Sequence, residues 1–123
     1  MILHIKPQTK ERHRYNSRTG TMYTPKQTRE YEDALKTLYF SESGSFYTGR
    51  IKVWIEFGFY TKSRNRLLKH KTSKPDIDNL VKALFDGLRG CAWQDDASIV
   101  DVHARKVWAA EDYIELEIEE VDE

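Results

Sequence analysis

The segment from Asp76 to Leu88 constrains this chain most, because Ile77, Leu80, Val81, Leu84 and Leu88 recur at the spacing of one helix face. Such a stripe must be buried against a second layer. Pro75 pushes Lys74 away from helical geometry, and Gly87 and Gly90 mark the other end, so both limits are written locally. On either side the period changes from helical to two. Ile51, Val53, Ile55, Phe57 and Phe59 alternate with Lys52, Trp54, Glu56, Gly58 and Tyr60, which predicts a strand. Ile99 to Trp108 and Tyr113 to Val121 also suit strands. In the second, Ile114, Leu116 and Ile118 face inward against Glu115, Glu117 and Glu119, and a hairpin is expected around Ala109 to Asp112.

Towards the amino terminus the signals are shorter. Met1 to Lys6 reads as a brief strand, and 11–23 as a basic hairpin turning at Asn16-Ser17-Arg18-Thr19-Gly20. Thr24-Pro25 supplies a cap and a first-position proline, and Tyr31, Leu35 and Leu38 continue a helix over about 25–40. Ser41 to Gly49 is a loop. Residues 61–74 lack apolar periodicity apart from Leu67-Leu68 and read as an exposed connection. A length of 123 residues suits a single domain spanning 1–123. The element order predicts an α+β domain in which two main helices pack on a mostly antiparallel or mixed sheet.

Bulk properties exclude several classes. Hydrophobic residues make up 39% of the chain, with three Trp, seven Tyr and five Phe, a composition that folds. The single Cys91 cannot form an internal disulfide, so a reducing cytoplasm is expected and a redox role is not. No long uninterrupted apolar run is present, which predicts neither export nor a membrane span. The net charge of zero hides strong segregation. Residues 1–30 hold seven Lys or Arg against two acids, and 61–74 hold six Lys or Arg, with His70, against none. The eight acids from Glu111 to Glu123 cancel these in the sum while leaving the local potential in place.

Candidate chemistry lies in two carboxylate pairs. With Asp76 at the helix cap and Asp78 in its first turn, both side chains can converge on one ion; taken alone, the pair is better explained by Asp76 capping the helix and Asp78 complementing its dipole. Asp95 and Asp96 follow the helix and precede a strand, either as an ordinary acidic turn or as a return to the helix start. Gathered carboxylates repel unless a hard cation such as Mg²⁺ joins them. Lys82, four residues after Asp78, can reach a phosphate or simply form a surface ion pair, and Asn79, Asp86 and Arg89 fit a solvated face. Carboxylate-bound magnesium hydrolyses phosphodiesters. The basic residues Lys10, Arg12, Arg14 and Arg18, and Lys62, Arg64, Arg66, Lys69, Lys71 and Lys74, suit a nucleic-acid backbone unless they merely solvate two loops. His4, His13, His70 and His103 lack zinc-ligand spacing, and Trp93 reads as core.

The string Lys74-Pro75-Asp76-Ile77-Asp78-Asn79-Leu80, then Lys82, then Gly90-Cys91-Ala92-Trp93-Gln94-Asp95-Asp96, resembles the RusA family of Holliday junction resolvases. Thr24-Pro25-Lys26 and Arg29-Glu30-Tyr31 extend the resemblance over nearly the whole chain. It implies that Asp76, Asp78 and Asp96 are metal-binding catalytic carboxylates, Lys82 an essential neighbour and Asp95 a lesser companion ligand. It also implies a homodimer using Mg²⁺ or Mn²⁺ to make paired nicks across a four-way DNA junction in recombination and repair, in a family often encoded by phages. Arg89 and Cys91 depart from the commoner Asn and Val, and the arm from Lys6 to Tyr15 is more basic than in some members. Three rivals stand beside this: a DNA-binding module without catalysis, a magnesium nuclease acting on flaps or single strands, and a structural protein docking through its acidic tail.

Overall fold

A computed structural model describes residues 1–10, 14–23 and 25–122. In chain order the elements are β1 (Ile2–Leu3), β2 (Arg14–Asn16), β3 (Thr21–Tyr23), α1 (Lys26–Ser41), β4 (Ile51–Tyr60), α2 (Ile77–Leu88), a 3₁₀ turn (Asp96–Ser98), β5 (Ile99–Ala109) and β6 (Tyr113–Glu120). The α+β expectation holds. Both long helices and the three long strands lie within a residue or two of where periodicity put them. Thr24 and residues 11–13 of the expected basic hairpin lie outside the described residues, whereas Tyr15 pairs with Met22 as a hairpin requires.

The main sheet has four strands in the order β1-β6-β4-β5, and β2-β3 forms a separate ribbon. β4 runs antiparallel to β6 and parallel to β5, so the sheet is mixed. This corrects the expected hairpin at Ala109–Asp112: the turn is there, but β4 is inserted between the strands it joins. The turn is tied to the end of β4, where Thr61 donates its amide to Ala109 O at 2.9 Å and Tyr60 to Asp112 Oδ1 at 2.8 Å. Hydrophobic alternation specifies which face a strand buries, not which neighbour it pairs with, and both arrangements bury the same face.

The fully buried side chains Ile51, Val53, Ile55 and Phe57 of β4, Ile114 of β6, Leu35 of α1, and Leu80, Leu84 and Leu88 of α2 belong to one core. Gly87 allows the two helices to approach, because a Cβ there would lie 2.5 Å from Leu35 Cδ1. On the opposite face of β4, Glu56 is buried and satisfied: it accepts from Arg105 Nε and Tyr113 Oη at 2.7 Å each. Among the described residues, no helix is long and apolar enough to cross a membrane. The parallel β4–α2–β5 unit matters most for function, since it brings the start of α2 to the ends of β4 and β5.

Candidate active site

The chain reaches α2 through a basic segment that is less free than its composition implied. Leu68 and Lys71 donate backbone amides to Trp108 O and Lys106 O, at 2.8 and 3.0 Å, so part of 61–74 is stitched to the edge of β5. Lys71 is the exception among the expected exposed cations, at 8% exposure. Its ammonium lies 4.5 Å from the Trp108 ring centroid and donates to Ser73 Oγ at 2.6 Å and Lys74 O at 2.5 Å. Lys106 Nζ donates to Ser73 O and Pro75 O at 2.7 and 2.6 Å. Two ammonium groups thus grip the backbone just ahead of Asp76. Burial foremost, then the charges of Lys106 and Arg66, lowers the Lys71 pKa. A lysine in this setting positions a loop rather than meeting phosphate.

At the helix start, Asp76 has the extended backbone of a cap residue, yet its side chain caps nothing. The carboxylate instead stands 3.4 Å from Lys74 Nζ and is 53% exposed. Asp78, in the first turn, is exposed and has no side-chain partner among the described residues. Capping by Asp76 is therefore not what the fold uses, whereas Asp78 still stands in the first turn where its charge complements the helix dipole. Two hard oxygen donors at a helix start, open to solvent, fit a Mg²⁺ ion that takes one or two protein carboxylates and completes its shell with water and phosphate. The helix terminus itself favours a phosphate.

The far end of α2 is arranged differently. Asp86 is only 6% exposed and receives Lys10 Nζ at 3.0 Å, Arg89 Nη2 at 2.7 Å and Lys82 Nζ at 3.9 Å. Arg89 also reaches Asp96, donating Nη2 to Oδ2 and Nε to Oδ1, while Trp93 donates its indole N–H to Asp96 Oδ1 at 2.7 Å. Burial, the largest single influence on Asp96, raises its pKa. The bonds from Arg89 and Trp93 and the charges of Arg89 and Lys82 together outweigh it, and the net shift is downward. Its hydrogen bond to Asp96 foremost, and also that to Asp86 and the charges of both carboxylates, raise the pKa of Arg89 against the opposing effect of burial. Asp95 follows the acidic-turn reading, accepting the Ala97 amide at 3.0 Å to cap the 3₁₀ turn.

The four expected carboxylates are thus not gathered. Asp76 and Asp78 open α2, whereas Asp96 is anchored at its close, and a 12-residue helix spans about 18 Å. Among the described residues, no three acidic, His or Cys side chains are grouped to hold one metal ion. Lys82 lies between the two ends, 67% exposed. Asp86 and Arg89, read from sequence as a solvated face, are the hub of the second cluster. The clue was the spacing of 78, 82, 86 and 89 on one ridge. Of the remaining basic residues, Arg18, Lys62, Arg64, Lys69 and Lys74 are exposed, Arg66 lies 5.4 Å from the Trp108 ring centroid, Arg14 sits in β2 and Arg12 is outside the described residues.

The family described as Endodeoxyribonuclease RusA matches residues 4–119, which include both clusters and the ridge between them. The chain belongs to the RusA endodeoxyribonuclease family. It is 39% identical over 72 residues to a "Crossover junction endodeoxyribonuclease rusA" of Lactococcus phage r1t, covering 58% of this chain and 55% of that protein. It is 38% identical over 60 residues to "Uncharacterized protein YqaN" of Bacillus subtilis (strain 168), covering 49% and 42%. The chain therefore spans about half the length of the curated relatives it matches. Within this RusA-family chain, Asp76 and Asp78 stand at the start of α2, and Asp96 is tied through Arg89 to its far end.

Proposed function

We propose that this chain is a metal-dependent endodeoxyribonuclease that resolves four-way DNA junctions by paired, symmetric nicks, acting as a homodimer of single domains (1–123) in the cytoplasm. The observation that carries the reading is Asp76 and Asp78 at the start of α2, solvent-facing and making no side-chain cap, beside a basic segment in a RusA-family chain. Asp76 and Asp78 would hold Mg²⁺ or Mn²⁺, while Asp96, bound by Arg89 and Trp93, and its neighbour Asp95 lie at the other end of α2 and do not share that ion. The ion, when bound, polarises a phosphoryl oxygen and lowers the pKa of the attacking water. Lys82 faces the phosphate being cut, held on the ridge by Asp86. Arg12, Arg14, Arg18, Lys62, Arg64, Arg66, Lys69 and Lys74 follow the backbone of the DNA arms, whereas Lys10, first expected among them, is engaged by Asp86. A twofold dimer places two such sites on a branched substrate of matching symmetry.

The test is cleavage of labelled four-way junction, flap, single-stranded and duplex DNA in Mg²⁺, Mn²⁺ or EDTA, with Asp78→Asn alongside. Symmetric metal-dependent nicking of the junction, lost in the variant while binding persists, is the expected result. Undiminished cutting by Asp78→Asn sinks the site assignment, and a preference for flaps replaces the substrate. Binding weakens steeply as salt rises.

A further inference from the structure

A cleft of about 540 Å³ opens beside Asp76, and no residue assigned above as a metal ligand lines it. Its wall includes Lys74 and Pro75, which lead directly into Asp76, so an occupant of the cleft lies next to the start of α2. It lies where the parallel strands β4 and β5 end, at Tyr60 and Ala109. In open sheets with parallel strands, ligands bind outside those carboxyl ends.

The lining combines three kinds of group. Tyr60 is 51% exposed and, among the described residues, its ring touches neither another ring nor a cation. The Trp108 ring, by contrast, already carries Lys71 and Arg66, so Tyr60 is the free aromatic surface. Gln27 donates weakly to Gln8 at 3.4 Å, which leaves amide donors and acceptors at the rim. Lys6 and Lys74 add positive charge, while the one lining carboxylate, Asp112, is engaged by the Tyr60 amide. A free aromatic face, amides that can read a base edge and ammonium groups for a phosphate are the chemistry of nucleotide recognition outside a stacked duplex. The volume also falls within the range of small-molecule sites.

We infer that this cleft receives one unstacked nucleobase of the cut strand, stacked on Tyr60, with its phosphate between Lys6 and Lys74. The inference rests on the endonuclease reading and extends it. Capturing a base there holds the neighbouring phosphodiester against Asp76 and Asp78. An unpaired or distorted branch point, which has least stacking to lose, becomes the favoured substrate.

The experiment uses full-length Asp78→Asn protein, which leaves DNA uncut, and junctions carrying one abasic site walked along the strand that the unmodified protein cuts. Binding is read by fluorescence anisotropy. One abasic position next to the cut should weaken binding about tenfold, within the range of base–aromatic stacking. Tyr60→Ala should weaken it by the same factor, and the combination no further. Tyr60→Phe, which keeps the ring, should bind as the parent does and control for folding. Independent losses multiplying to about a hundredfold, or no abasic position near the cut having any effect, overturns the cleft while leaving the nuclease standing. Absence of both junction binding and cutting in the unmodified protein overturns the two together.

Discussion

The two ends of α2 carry acids of opposite circumstance. At the start, Asp78 has no side-chain partner among the described residues and Asp76 has only the exposed Lys74. At the close, Asp86 and Asp96 are held by Lys10, Lys82, Arg89 and Trp93, and Asp86 is nearly buried. Exposed carboxylates two residues apart contribute almost nothing to a fold, whereas carboxylates ringed by donors contribute order. The first pair is thus free to serve an external cation, and the second builds the scaffold that keeps Lys82 on the same ridge.

Breaking each end in turn should produce opposite signatures. The largest effect is expected from Asp78→Asn: loss of junction cleavage by at least about a thousandfold, matching the several kcal/mol that metal catalysis supplies, with thermal stability within about 0.5 kcal/mol. An equally large loss of stability would erase the distinction between the ends. Asp86→Ala should show the reverse emphasis, lowering unfolding free energy by about 1–2 kcal/mol. It leaves Lys10 and Lys82 without this partner while Arg89 keeps Asp96, and partial exposure screens the penalty. Urea denaturation measures it, and an unchanged midpoint would show that the hub is ornamental to stability.

A subtler contrast lies in pH. The folded Asp96 carboxyl has a pKa below its ordinary value, so the stability it contributes is fully present above the unfolded value near about 4 and is lost as pH falls through the lower folded value. The stability difference between the parent protein and Asp96→Asn, followed by denaturation from neutral to strongly acidic pH, should be constant at the upper end and shrink in acid. Growth of that difference on acidification would mean that the folded Asp96 carboxyl titrates above its unfolded value. The smallest effect is expected at Lys74, whose pair with Asp76 is exposed on both sides. Lys74→Gln should change stability by less than about 0.5 kcal/mol, with any change vanishing in high salt. A larger, salt-insensitive effect would place Asp76 in the scaffold rather than beside it.

Much of this was legible in sequence because it is local. The stripe from Ile77 to Leu88, the alternation from Ile51 to Tyr60 and the placement of Asp76 and Asp78 in one turn depend on residues a few positions apart, whose geometry the helix and strand periods dictate. Trp93 is fully buried, as its sequence setting implies, whereas its indole bond to Asp96 depends on the fold. Lys71 was misplaced for a related reason. Six basic residues in a run look alike, and only the packing of Trp108 and Phe59 against one of them distinguishes the clamp from the exposed cations.

By itself, then, the sequence determined the element types, the buried face of β4, β6 and both helices, and the presence of a carboxylate pair at a helix start. Only the tertiary structure decided that β4 separates β5 from β6, that Asp86 and Arg89 tie Asp96 to the far end of α2, and that Lys106 reaches across to grip Ser73 and Pro75. Periodicity encodes which side of an element is apolar. Pairing order and cross-element ion contacts depend on how several elements share one core, and no spacing within a single segment carries that information.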